Sequence, residues 1–213
     1  MTTSAQLLEL SPVVPVVVVD DAADAVPLAR ALLRGGVGVI ELTLRTPAAL
    51  AAIERVAAEV PGIVVGAGTV TTPEQAGQAL KAGASFLVTP GATTRLLDAV
   101  EDTGLPFLPG AATVSEALVL AERGLTALKF FPAEASGGVD FLRSVAGPLP
   151  GLRFCPTGGI SVTSAPSYLA LPNVGCVGGS WLTPKDAVAS GDWERIAELA
   201  AAAAALSSAP PSR

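Results

Sequence analysis

Eight short apolar runs recur along the 213 residues of this chain, nearly all followed by a longer segment of helical period. The runs are Val13–Val19, Gly38–Leu44, Ile63–Gly66, Phe86–Val88, Pro106–Leu108, Ala127–Phe131, Arg153–Pro156 and Gly175–Gly178. They are close to continuous in apolarity rather than alternating. That is the pattern of parallel strands covered on both faces, which crossover helices must join. Helices are expected at Ala22–Arg34, Pro47–Val60, Thr72–Ala82, Thr94–Asp102, Val114–Glu122, Gly138–Ala146, Ser164–Leu169 and Asp192–Ala205. Eight βα units with no linker predict an α/β chain folded as one closed (β/α)8 barrel, with an open doubly wound sheet as the alternative. The barrel is expected over residues 1–206, and Ser207–Arg213, rich in Ser and Pro, as a disordered tail.

Local punctuation agrees with this division. Thr72–Pro73–Glu74 offers an N-cap, a proline at the first helical position and an early acid, and Thr46–Pro47 repeats the logic. Glycines close several helices just before a strand, at Gly35–Gly36, Gly83, Gly104 and Gly124. Half of the chain is hydrophobic but aromatics make up only 4%, so the core must be built from Ala, Val and Leu.

Composition also removes several functions. The formal charge of −6 lacks the basic stripe that nucleic acid requires. There is no histidine, so Ser-His-Asp and Cys-His nucleophiles and His-rich zinc sites are excluded. No metal or cofactor is expected. Cys155 and Cys176 lie in separate apolar segments outside any CxxC and read as small buried residues of a reducing compartment. The N-terminus shows no basic flank and no apolar signal region. The run Val13–Val19 is too short to span a bilayer. A cytoplasmic protein with no membrane partner is the expectation.

Polar residues interrupt the apolar strands at few places, and these fall toward the strand C-termini, where barrels of this kind carry chemistry. Lys129 stands inside the sixth run. Burying an unpaired ammonium is costly, and a lysine so placed tends to give up its proton and act as a nucleophile toward carbonyls. The bland reading is a strand-end lysine that snorkels to solvent. The other two lysines, Lys81 and Lys185, sit in polar helix-like or loop-like contexts. Glu41 interrupts the second run and shares a face with Thr43, while Arg45 closes it. A structural Glu41–Arg45 ion pair is the bland alternative there. Gly158–Gly159 and Gly178–Gly179–Ser180 follow the seventh and eighth runs, where barrel loops frequently form a phosphate site. An amine, a carboxylate, an arginine and a phosphate cradle at one mouth suit Schiff-base chemistry on a phosphorylated keto acid.

Five motifs carry a resemblance. Glu41–Leu42–Thr43–Leu44–Arg45–Thr46, Gly66–Ala67–Gly68–Thr69–Val70, Leu128–Lys129–Phe130–Phe131–Pro132–Ala133–Glu134, Cys155–Pro156–Thr157–Gly158–Gly159–Ile160 and Val177–Gly178–Gly179–Ser180–Trp181–Leu182 occur in order. Together they resemble the 2-keto-3-deoxy-6-phosphogluconate aldolases, also described as 4-hydroxy-2-oxoglutarate aldolases, over about residues 5–200. The resemblance implies a class I aldolase, a homotrimeric (β/α)8 barrel without cofactor. It would release pyruvate and glyceraldehyde 3-phosphate in the Entner–Doudoroff pathway. Carried over position by position, Lys129 would form the Schiff base and Glu41 would act as general acid and base. Arg45 and Thr69 would hold the pyruvate carboxylate, with Pro90 and Phe130 shaping the pocket. Thr157 would contact substrate hydroxyls, and Gly158, Gly159, Gly178, Gly179 and Ser180 would bind phosphate. Relatives acting on the galactonate epimer tend to be apolar at the position of Thr157, so the threonine favours the gluconate substrate. The departures, a short N-terminal segment and an alanine-rich C-terminal end, bear on oligomer contacts more than on chemistry.

Other readings weigh less. A non-catalytic trimeric scaffold on the same barrel has no need of both Lys129 and Glu41. A sugar-phosphate epimerase needs metal-binding histidines, and a decarboxylase on this fold needs alternating Asp and Lys on one strand; neither set is present.

Overall fold

The structure, a computed structural model, describes residues 3–206, so the tail expected over Ser207–Arg213 lies outside the described residues. Nine strands appear in the order β1 Val13–Val17, β2 Val39–Thr43, β3 Val64–Gly68, β4 Phe86–Val88, β5 Phe107–Leu108, β6 Gly110–Ala111, β7 Ala127–Phe130, β8 Arg153–Pro156 and β9 Val177–Gly179. All pair in parallel. They form a six-stranded sheet, β5-β4-β3-β2-β1-β9, and a three-stranded sheet, β6-β7-β8.

Two seams join these sheets into one ring. β5 and β6 are the halves of a single barrel position, parted by Pro109, which has no N–H to give to a ladder. The Pro109 carbonyl still accepts from the Lys129 amide at 2.9 Å, so the pairing runs through the break. At the other seam β8 meets the approach to β9 through bridges between Phe154 and Val174 and between Thr157 and Gly178. The expected fold class, an α/β (β/α)8 barrel in one domain, is thereby present.

The helices follow the punctuation with one exception. Thr72, Thr93 and Thr113 cap the helices Pro73–Lys81, Thr94–Glu101 and Val114–Glu122. The expected C-terminal glycines Gly36, Gly83, Gly104 and Gly124 all take positive φ. Thr46 does not cap its helix, which begins only at Ala49 with no side-chain cap. The Thr46 hydroxyl instead donates to the Val19 carbonyl, tying the β2 loop to the end of the first strand segment. Short helices at Ser4–Leu7 and Lys185–Ser190 were not foreshadowed by periodicity, because neither is long enough to show it.

The alanine-rich last helix, Trp193–Ala204, packs on the helix Ala22–Arg34. Small side chains permit a close approach: a Cβ at Gly35 would overlap Ala200, which is itself fully buried. Among the described residues no helix is long and apolar enough to cross a membrane.

Candidate active site

Lys129 is the third residue of β7 and only 4% exposed; Glu41 is the third residue of β2 and 3% exposed. Their strands are not neighbours in the ring. Both side chains point into the barrel, and the Lys129 Nζ donates to Glu41 Oε1 at 3.5 Å. The amine expected to stand unpaired therefore has a carboxylate beside it. The snorkelling alternative does not describe this lysine. Its Nζ also lies 5.3 Å from the ring centroid of Phe131.

Space for the Glu41 carboxylate comes from a glycine. A Cβ on Gly68, at the end of β3, would fall 2.5 Å from Glu41 Cγ and Cδ. Thr43, on the same face of β2, turns its hydroxyl to the Val17 carbonyl at 2.9 Å. No Glu41–Arg45 ion pair exists among the described residues. Arg45 is exposed at the mouth, where its Nε donates to Thr69 Oγ1 at 3.1 Å. Thr69 follows β3 with a φ of 56°, the one non-glycine residue with positive φ among those described. That conformation is costly for a β-branched side chain, and such strain tends to gather at working sites.

A cavity of about 440 Å³ opens over this end of the barrel. Arg45, Thr157, Gly158, Gly159, Gly178 and Ser180 line it, together with Val16, Val18, Phe131, Ile160 and Lys185. Lys129 and Glu41 are not themselves part of its lining, but its walls reach them. Val16 lies opposite Glu41 in register and so on the same face, and Phe131 is the ring beside Nζ. Arg45 and Lys185 are the charged residues in the lining, which includes no carboxylate. An acidic chain thus gathers two cations at one opening, which suits an anionic ligand.

The loop after β8 forms one wall. Gly158 and Gly159 both have positive φ, at 104° and 81°, which sets their backbone in a turn that other residues adopt poorly. Thr157 is buried at the start of that loop. Its side chain lies against Gly178, where a Cβ would overlap it. Ser180 is exposed at the end of β9.

Four of the expected pocket residues stand away from the cavity lining: Thr69, which is joined to it through Arg45, and Phe130, Pro90 and Gly179. Phe130 is fully buried and stacks on Phe141 of the helix Gly138–Val145, with centroids 4.8 Å apart and planes 4° apart. Strand alternation accounts for this: Lys129 and Phe131 face inward and Phe130 faces the outer helix. That period-2 rule was the signal for Phe131. Pro90 packs its backbone against Gly110, so tightly that no Cβ would fit there. Gly179 is covered by the Trp181 ring. Lys185 lines the cavity although its sequence context is loop-like; it opens the helix Lys185–Ser190, which is too short to show a periodicity that would place it.

Cys155, opposite Lys129 in register, and Cys176 are both buried and free. The neighbouring Cys176, set against burial, brings the Cys155 thiol below its ordinary value, while Cys155 and burial push Cys176 well up.

Comparison with known proteins agrees with the geometry. The family model described as KDPG and KHG aldolase matches residues 5–199. A 2-dehydro-3-deoxy-phosphogluconate aldolase of Pseudoalteromonas atlantica is 52% identical over 95% of this chain and 94% of its own length. The KHG/KDPG aldolase of Escherichia coli is 51% identical over 93% of each. A crystal structure of the KDPG aldolase of Legionella pneumophila, with pyruvate captured at low pH as a covalent carbinolamine intermediate, superimposes with a TM-score of 0.93. It is 44% identical, and the match covers 96% of this chain and 99% of that one. The chain belongs to the KDPG and KHG aldolase family.

Proposed function

We propose that this chain is a Schiff-base aldolase that cleaves 2-keto-3-deoxy-6-phosphogluconate to pyruvate and glyceraldehyde 3-phosphate in the Entner–Doudoroff pathway. One observation carries the reading: a buried amine and a buried carboxylate in contact at 3.5 Å beneath a cation-lined cavity. The family membership supports it. The Lys129 amine adds to the C2 ketone, and the carbinolamine loses water to an iminium. Glu41 takes the proton of the C4 hydroxyl as the C3–C4 bond breaks, and the electron pair passes into the iminium to leave an enamine. The aldehyde departs, C3 is reprotonated, and water releases pyruvate and the free amine.

The remaining assignments belong to the same proposal. Arg45 and Thr69 hold the substrate carboxylate, for which a guanidinium presents a matched pair of donors. Thr157 contacts substrate hydroxyls. The turn Gly158–Gly159, with Gly178 and Ser180, receives the phosphate through backbone N–H groups and a hydroxyl. 4-Hydroxy-2-oxoglutarate presents the same pyruvyl end and is a second substrate, in keeping with the family. The protein works as a cytoplasmic homotrimer. The partly exposed Val114, Leu118 and Val119 on one outer helix offer an apolar surface to a second copy.

Borohydride added with pyruvate tests the chemistry. One covalent adduct per chain is expected, on the peptide containing Lys129 and on neither Lys81 nor Lys185, with pyruvate released from the gluconate substrate faster than from its galactonate epimer. Activity that persists in Lys129→Ala, with no adduct formed, would overturn the Schiff-base reading.

A further inference from the structure

Glu134 and Tyr168 lie outside the cavity lining, yet both bear on the turn that forms its wall. The Glu134 amide donates to the Gly158 carbonyl at 3.1 Å, and the Ala133 amide donates to the Thr157 carbonyl at 2.8 Å. The segment after β7 is thereby laid along the Thr157–Gly159 loop. The Glu134 side chain then covers Gly159: a Cβ there would fall 2.7 Å from Glu134 Cγ and 2.8 Å from Glu134 Cβ. Tyr168 reaches the same carboxylate from the far side of the loop. It sits on the helix Ala165–Leu169, is 1% exposed, and donates its hydroxyl to Glu134 Oε1 at 2.9 Å. Burial, and next the bond to Glu134, raise the Tyr168 phenol far above its ordinary value, so the proton stays on the tyrosine and the donor role is kept.

Resting on the phosphate reading above, we infer that Glu134 and Tyr168 are positioning residues that clasp the Gly158–Gly159 turn and set its affinity for the substrate phosphate. The segment Gly158–Ala165 leaves β8, passes the cavity and returns to a helix. Both of its ends converge on one residue: Gly158 bonds the Glu134 backbone amide, and the helix that follows reaches the Glu134 carboxylate through Tyr168. Two glycines in succession give the turn freedom that would otherwise disperse its N–H groups. A phosphate gains most from donors already fixed in place, since ordering them on binding subtracts from affinity. Lys129 and Glu41 are held by their own strands, so the clasp acts on the phosphate end and leaves the chemistry alone.

Steady-state kinetics on the full chain separate these effects. Tyr168→Phe removes one hydroxyl and keeps the ring in the core. Its KM for 2-keto-3-deoxy-6-phosphogluconate is expected to rise about five- to tenfold, with kcat within about twofold. KM for unphosphorylated 2-keto-3-deoxygluconate should not move. Glu134→Ala, which also uncovers Gly159, should raise KM for the phosphorylated substrate at least as far, and the double variant should be no worse than Glu134→Ala alone, because Tyr168→Phe breaks only the contact that Glu134→Ala has already removed. Glu134→Gln, whose amide oxygen can still accept from Tyr168, should regain most of the loss. Equal losses on both substrates, additive losses in the double variant, or a lowered Tm with KM unchanged would each refute the clasp. A wild-type chain that binds the two substrates equally well refutes the phosphate assignment, and the clasp with it. A wild-type chain that favours the phosphorylated substrate, beside an unchanged Tyr168→Phe, refutes the clasp alone.

Discussion

Gly68→Ala asks whether the position of the Glu41 carboxylate, rather than its mere presence, limits the rate. Gly68 closes β3 opposite Thr43 and has no positive φ, so alanine suits its backbone. The added methyl would stand 2.5 Å from Glu41 Cγ and Cδ and closer still to Oε1. Carbon atoms settle near 3.5 Å, so the carboxylate must retreat by about 1 Å. Its contact with Lys129 is 3.5 Å, so a shift of that size changes the geometry of the pair. Displacement of a catalytic group by about 1 Å costs about 10²-fold, equivalent to about 2.7 kcal/mol on the barrier. Overpacking also costs about 1–3 kcal/mol of stability. The assay is pyruvate release coupled to a dehydrogenase, run beside far-UV circular dichroism and a thermal melt. The expected result is kcat lowered about a hundredfold in a folded protein. A kcat within about threefold of wild type, with the fold intact, would show that Glu41 need not stand where it does.

Two further expectations concern stability. Lys129→Met strands the buried Glu41 and should cost about 3 kcal/mol in urea unfolding; Lys129→Met with Glu41→Gln should recover most of that loss, and a double variant no more stable than the single one would contradict the buried pair. Glu116 completes a capping box, its carboxylate accepting from the Ala112 and Thr113 amides at 2.8 and 2.9 Å, and chiefly the Ala112 bond holds it below its ordinary value of 4.5. A depressed carboxylate contributes stability above its unfolded value and loses it as pH falls through the folded one. Glu116→Ala should therefore cost about 1 kcal/mol at pH 7. The gap in Tm should shrink as pH falls below 4.5, and a gap that persists at low pH would deny the charge a role.

Much of the barrel could be read from near neighbours along the chain. Runs such as Val39–Thr43 favour strands because their branched side chains fit a pleated surface, and their lack of alternation marks cover on both faces. The Thr72 cap and the glycine ends are equally local, being matters of φ and of orphan backbone groups. Lys129 and Glu41 were each recognisable as polar residues within apolar strands. That they touch was not, since they are 88 residues apart on strands that are not neighbours, and only closure of the ring sets their distance. Tertiary packing likewise decided that Lys185 joins the mouth and that Thr46 ties a loop to the neighbouring strand instead of capping a helix, whereas the inward turn of Phe131 rather than Phe130 follows from strand alternation alone. Local sterics determine what each segment becomes; register and ring closure determine which side chains face one another, and the chemistry depends on the facing.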